Sequence, residues 1–248
     1  MALDISVGSY ALGNNIDKFE IEQESRLEPV PVPRREGYLT DEAYSTGMRL
    51  LMGGTIYNDD SDDTRTTLNA LKNAFSKGKK TITLYDDREL IAQKEYFRSS
   101  YVDADLRRVQ WEASMLSDDF GFRAVNPTVT TATITTSPST STSTNDGNLD
   151  ADAVIRMTPG SVAIASGVRI DNLTNGKFFT YNTTITTGDY VEIDTENLTV
   201  VDSAGANKIA NFQGDFFKLA AGANQIKYTG TTSSAVVNLT YRSKYDGP

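Results

Sequence analysis

The chain has 248 residues, 38% hydrophobic and 23% charged, with a formal net charge of −9 and a pI near 4.6. This composition suits a globular protein of one large or two ordinary domains, and its excess of acid argues against a surface built to neutralise nucleic-acid phosphates. Cysteine and histidine are both absent, which excludes disulfides, thiolate metal sites, cysteine nucleophiles and histidine proton relays.

No apolar run approaches the roughly 18–20 residues of a membrane span. The opening MALDISVGSY lacks the basic segment of a secretory signal. Residues 1–125 hold 22 of the 33 acids and 16 of the 24 bases, whereas residues 126–248 hold 22 threonines. Two domains are therefore expected, 1–125 and 126–248, joined near Val125-Asn126-Pro127.

The first domain opens on a polar, poorly periodic segment. EPVPVPRREGY (28–38) follows, whose prolines favour an extended loop or edge segment. Residues 49–57 read as a strand broken by a bulge or bend at Gly53-Gly54. A helix comes next, capped by Ser61 or Asp62 and stopped by Gly78, with Leu68, Leu71 and Phe75 forming one apolar stripe. TITLY (81–85), Asp86-Asp87 and RELIAQ (88–93) read as strand, tight turn and strand. A strand over residues 106–116 places Val109 and Trp111 on one side, and Phe120 and Phe122 close the domain. The expectation is α+β, a mostly antiparallel sheet with one helix.

The second domain begins with TVTTATITTSPSTSTST (128–144), whose first half suits an edge strand and whose Ser-Pro-Ser-Thr half suits an exposed loop. Short alternating stretches then recur with turn signals at intervals of about 8–12 residues, the rhythm of an antiparallel β-sandwich or barrel. They include 150–157, 167–173, 177–182, 181–201, 214–230 and 235–246, and no helix is expected after residue 80.

Little here suggests catalysis. Asp189, Glu192, Asp194 and Glu196 lie on or beside one strand rather than across a cleft, so they read as a solvated face. NDDSDD (58–63) lacks calcium-loop spacing, and no phosphate-binding glycine loop occurs. Adjacent aromatics such as Phe216-Phe217 must point to opposite faces, so one of each pair needs cover from a loop, a subunit or a ligand.

The succession GDYVEIDT (188–195), LTVVD (198–202), GDFFKLAAGANQIKY (214–228) and VVNLTYR (236–242) resembles the C-terminal domain of distal tail proteins from long-tailed, siphovirus-type bacteriophages. Gly188 and Asp189 stand in the family's Gly-Asp strand. Phe217, Leu219, Gly222, Asn224 and Ile226 stand in its Phe-x-Leu-x-Pro-Gly-x-Asn-x-Ile phrase, with Ala221 where proline is usual. In the first half, Gly54-Thr55-Ile56, an acidic stretch, the helix at 67–75, and a strand with Asp87-Arg88 follow in the expected order.

The resemblance implies a mainly β chain, with a barrel-like α+β first domain that forms the ring and a galectin-like β-sandwich after it. It implies a non-enzymatic virion part at the tail tip. Such a part is a homo-hexameric ring joining the tail tube protein to the tail-tip hub or baseplate, with receptor-binding proteins as further partners. DNA only passes through the lumen, and no membrane, metal or cofactor is implied. Asp86, Asp87 and Arg88, a charged turn that a simple domain would not need, are the candidates for a ring or lumen contact. The alternative is a carbohydrate-binding tail or surface protein recognising host glycans, since sandwiches of this kind also stack sugars on exposed aromatics.

Overall fold

The computed structural model describes residues 4–26, 29–31, 38–40, 44–85, 87–119, 121–231 and 235–247. The chain divides into two compact units, one built on Met1–Val125 and the other on Asn126–Asp246. Each has its own buried apolar cluster.

In the first unit the strands are β1 (Ile5–Val7), β2 (Tyr10–Ala11), β3 (Lys18–Arg26), β4 (Pro29–Pro31), β5 (Tyr38–Thr40) and β6 (Tyr44–Tyr57). After α1 (Ser61–Ala74) come β7 (Lys79–Leu84), β8 (Arg88–Tyr101), β9 (Arg108–Ser117) and β10 (Phe122–Ala124). A curled antiparallel sheet runs β2-β1-β7-β8-β9-β6-β3, with β10 beside β8 and β4 paired with β5 as a separate ribbon. Alternation along β9 buries Val109, Trp111, Ala113 and Met115 against Leu68, Leu71 and Phe75 of the helical stripe. Burying each of the valine, leucine, methionine and phenylalanine side chains among them contributes on the order of 1.5–3 kcal/mol.

Several expectations change here. The segment before residue 27, read as poorly periodic, contains β1 and β3. The glycines do not break β6, because its register with β9 runs unshifted from Met48↔Ser117 to Tyr57↔Arg108. Gly54 is needed for proximity instead: a Cβ there would lie 2.0 Å from the Asn15 carbonyl oxygen. The bulges occur elsewhere, between Gln23 and Ser25 in β3 and between Lys94 and Tyr96 in β8.

The helix cap is Asp60, one residue before the expected pair, and its carboxylate accepts from Asp62 N at 2.6 Å. The helix ends at Ala74 with Phe75 as its cap, so Gly78 (φ +98°) shapes the connection rather than the stop. The strand expected to end at 93 continues to Tyr101, held in register by β9. Phe122 is buried, and Phe120 lies outside the described residues.

The second unit holds β11 (Thr128–Ile134), β12 (Ser139–Asn145), β13 (Ala153–Thr158), β14 (Val168–Asn172) and β15 (Lys177–Tyr181). They are followed by β16 (Val191–Asp194), β17 (Thr199–Asp202), β18 (Phe212–Gly214), β19 (Gly222–Thr229) and β20 (Ala235–Tyr241). Two five-stranded sheets form, β11-β20-β13-β16-β17 and β12-β19-β14-β15-β18. Their inner residues make a single core around Ile155, Ile193, Phe179, Phe217 and Leu239. This is a β-sandwich.

The Ser-Pro-Ser-Thr half is not a loop. It leads into β12, an edge strand paired with β19 from Ser139↔Tyr228 to Asn145↔Gly222. A strand with one face in water can be built from threonine and serine alone when its inward positions are small. Ser143 and Asn145 are the buried ones.

Candidate functional site

Between β18 and β19 the chain leaves regular structure, and this crossing together with β19 holds five of the seven motif positions. Phe217 and Leu219 are wholly buried and anchor it to the core. Leu219 also exchanges both backbone hydrogen bonds with Ala151, each 2.8 Å. Gly222, at φ +83°, turns the chain into β19.

Asn224, with no exposed surface, holds this turn together. Its Nδ2 donates to the Ala220 and Gly222 carbonyls at 2.8 and 3.0 Å, and its Oδ1 accepts from Ala220 N at 2.9 Å. Ile226, 3% exposed, continues the buried face.

Two further asparagines join it, neither singled out from sequence. Asn172 Nδ2 reaches Lys218 O at 3.2 Å and Asn224 Oδ1 at 3.3 Å. Asn145 Nδ2 reaches Leu149 O at 2.8 Å and Leu219 O at 3.2 Å. Each also accepts from the backbone amide two residues on, Thr174 or Gly147. That local turn was readable from Asn-x-Thr and Asn-Asp-Gly. Burial of three amides around one crossing was not, because they come from strands far apart in sequence.

Gly188, at φ +91°, and Asp189 form the turn before β16. Asp189 accepts from the Ser203 hydroxyl at 2.6 Å and the Thr186 hydroxyl at 2.5 Å. These bonds hold its carboxyl below the usual aspartate range. The turn borders a polar recess of about 190 Å³ that also includes Tyr190, Asp202 and Lys208.

Of the charged turn in the first unit, Asp86 lies outside the described residues. Asp87 is exposed, with its amide on Leu84 O and its carbonyl accepting from Val125 N at 2.9 Å. Arg88 is half-buried at the start of β8, between Leu84 and Ala124 in the sheet register. These residues thus sit where β7, β8 and β10 meet.

The carboxylates of β16 have structural partners. Glu192 bonds Arg156 at 2.6 Å, and the guanidinium lies 4.2 Å from the Tyr190 ring centroid. Asp194 accepts from the Glu196 and Asn197 amides. The non-core aromatic of each adjacent pair finds cover within its own unit. Phe178 lies under Arg169 at 3.6 Å, and Phe216 stacks on Phe212 at 4.3 Å. Among the described residues no group of three or more Asp or Glu side chains converges to hold a metal, and no helix is long and apolar enough to cross a membrane.

Residues 146–245 match the family model of the siphovirus-type tail component, C-terminal domain. No curated protein sequence matches the chain. Among solved structures, the chain is similar to the SPP1 Dit protein, described as a paradigm of the hub adsorption apparatus in phages infecting Gram-positive hosts. The TM-score is 0.69 at 15% identity, over 98% of this chain and 99% of that one. The phage P2 baseplate in its activated conformation with Ca aligns at TM-score 0.46 and 8% identity, over 100% of this chain and 99% of that chain. Residues 146–245 therefore match the siphovirus-type tail component, C-terminal domain, and the chain as a whole shares the fold of the SPP1 Dit protein.

Proposed function

We propose that this protein is a non-enzymatic structural part of the phage tail tip, a distal tail protein. It assembles as a hexameric ring that joins the tail tube to the tail-tip hub and leaves a passage for DNA. The observation that carries this reading is the coincidence of two matches. The second unit fits the tail-component family, and nearly the whole chain follows the fold of the SPP1 Dit protein.

The chemistry of the chain is consistent with assembly. Its buried asparagines and its arginine–aromatic and arginine–carboxylate contacts are spent on fixing the sandwich rather than on a cleft. A net charge of −9 also suits a conduit that DNA must traverse without adhering. The first unit, with its open curled sheet, is assigned the ring, and the sandwich is assigned to contacts with other tip proteins.

The test is mass measurement of the purified full chain by light scattering at micromolar concentration, with imaging of the particles. Hexamers with a central opening are expected. A chain that stays monomeric and binds neither the tube protein nor the hub protein would falsify the reading.

A further inference from the structure

The recess beside the Gly188-Asp189 turn is assembled from separate stretches of the second unit. Residues between 181 and 191 form one wall, and Asp202, Lys208 and Asn211 complete it. The connection from β17 to β18 brings these together, because Val201 bridges Asn207 and Lys208 N donates to Val200 O at 2.7 Å. Lys208 is thereby held beside β17, where its Nζ pairs with Asp202 at 3.1 Å.

The acceptors of the recess are fixed. One oxygen of Asp202 takes the Ala204 and Ala206 amides at 3.0 and 2.9 Å, and the other takes Lys208. The Ala206 bond first, and Lys208 after it, hold this carboxyl below the usual aspartate range. Asp189, set by its two hydroxyl partners, is the second ionised carboxylate. Each retains a lone pair that no protein donor fills.

Donors line the same space. Lys208 carries three N–H groups and spends one on Asp202. The hydroxyls of Thr183, Thr184 and Tyr190 bond to nothing among the described residues, so each is free to donate or accept. Tyr190 also adds an apolar wall that is held in place. Arg156 lies 4.2 Å from its ring centroid and is itself bound by Glu192 at 2.6 Å.

We infer that this recess binds a neutral saccharide, one sugar ring at a time. A sugar hydroxyl both donates and accepts, so it can give its proton to Asp189 or Asp202 and take one from Lys208 or a threonine. The C–H face of the ring then has Tyr190 to lie against. An anion matches only the donors and meets two carboxylates against one lysine. A metal ion finds no third carboxylate among the described residues. At about 190 Å³ the recess is smaller than the roughly 300–1,000 Å³ of pockets that enclose a drug-sized ligand. It therefore grips one ring and leaves the rest of a chain in water. This inference goes beyond the ring reading and does not depend on it.

The test is saturation-transfer NMR on the full chain, which reads binding in a monomer or a ring alike. The probes are the methyl glycosides of glucose, galactose and N-acetylglucosamine, with sorbitol as an open-chain polyol and inorganic phosphate as a competitor. At least one glycoside should bind saturably in the millimolar range, sorbitol should bind more weakly, and phosphate should not displace the sugar. Thr184→Val removes a hydroxyl that bonds nothing in the protein, so it should melt as the parent does yet bind about three- to tenfold more weakly. Lys208→Met, which keeps the stem and removes the donors, should weaken binding at least as much. Tyr190→Ala should abolish it, and Tyr190→Phe should retain part of it. The inference is overturned if no glycoside binds, if sorbitol binds as well as the glycosides, if phosphate displaces them, or if the Thr184 and Lys208 variants both bind as the parent does. None of these results bears on whether the chain forms a ring.

Discussion

Asn224 shows how one polar side chain can carry a whole crossing of the fold. It is wholly buried, and its amide satisfies two carbonyls and one backbone N–H that would otherwise be left without partners away from water. Leaving such groups unsatisfied costs about 1–3 kcal/mol. Asn224→Ala is accordingly expected to lower the unfolding free energy by about 3 kcal/mol in urea melts. Ala221, three residues earlier, is exposed and takes no left-handed backbone. Ala221→Pro should raise stability by about 0.5–1 kcal/mol by restricting the unfolded chain, read in the same melts.

Asp189 gives a pH dependence whose sign follows from its hydrogen bonds. Its folded pKa is depressed by the Ser203 and Thr186 hydroxyls. Its contribution is therefore complete above the unfolded aspartate value of about 3.9 and is lost as pH falls through the lower folded value. Ser203→Ala should reduce the difference in stability between pH 6 and pH 2.5. An unchanged difference would show that these bonds do not matter.

At the scale of the element, the paired glycines of β6 separate what a pattern suggests from what packing requires. Gly-Gly in a strand signals a bulge or a close approach, and the spacing alone does not choose between them. The Asn15 backbone decides it, since the same carbonyl that a Cβ at Gly54 would strike accepts from Trp111 Nε1 at 2.8 Å. Gly54→Ala should cost about 3 kcal/mol through overpacking. It should also shift the emission of the chain's single tryptophan, which makes fluorescence the direct readout.

β12 makes the complementary point. Its Ser/Thr run reads as an exposed loop because nothing apolar marks a buried face. Pairing with β19 and small inward side chains make it a strand all the same.

For the molecule as a whole, two separate apolar clusters imply two cooperative units. Calorimetry of the full chain should resolve two transitions. Trp111 fluorescence should follow only the one belonging to the first unit, and Asn224→Ala should move only the other. A single transition that shifts as one in every variant would contradict this.

The alternation of the later strands, the helical stripe of Leu68, Leu71 and Phe75, and the exclusion of cysteine and histidine chemistry were all legible in the sequence. Each depends on local periodicity or on composition, which a chain carries without its fold. So was the resemblance of residues 188–242 to a tail component, because the turn glycines and core positions of that phrase recur as a linear pattern. The tertiary structure alone decided that Gly54 serves proximity and that Asn145, Asn172 and Asn224 meet around one crossing. Those depend on register and on contacts between residues distant in the chain, where pairing rather than local preference sets which groups meet.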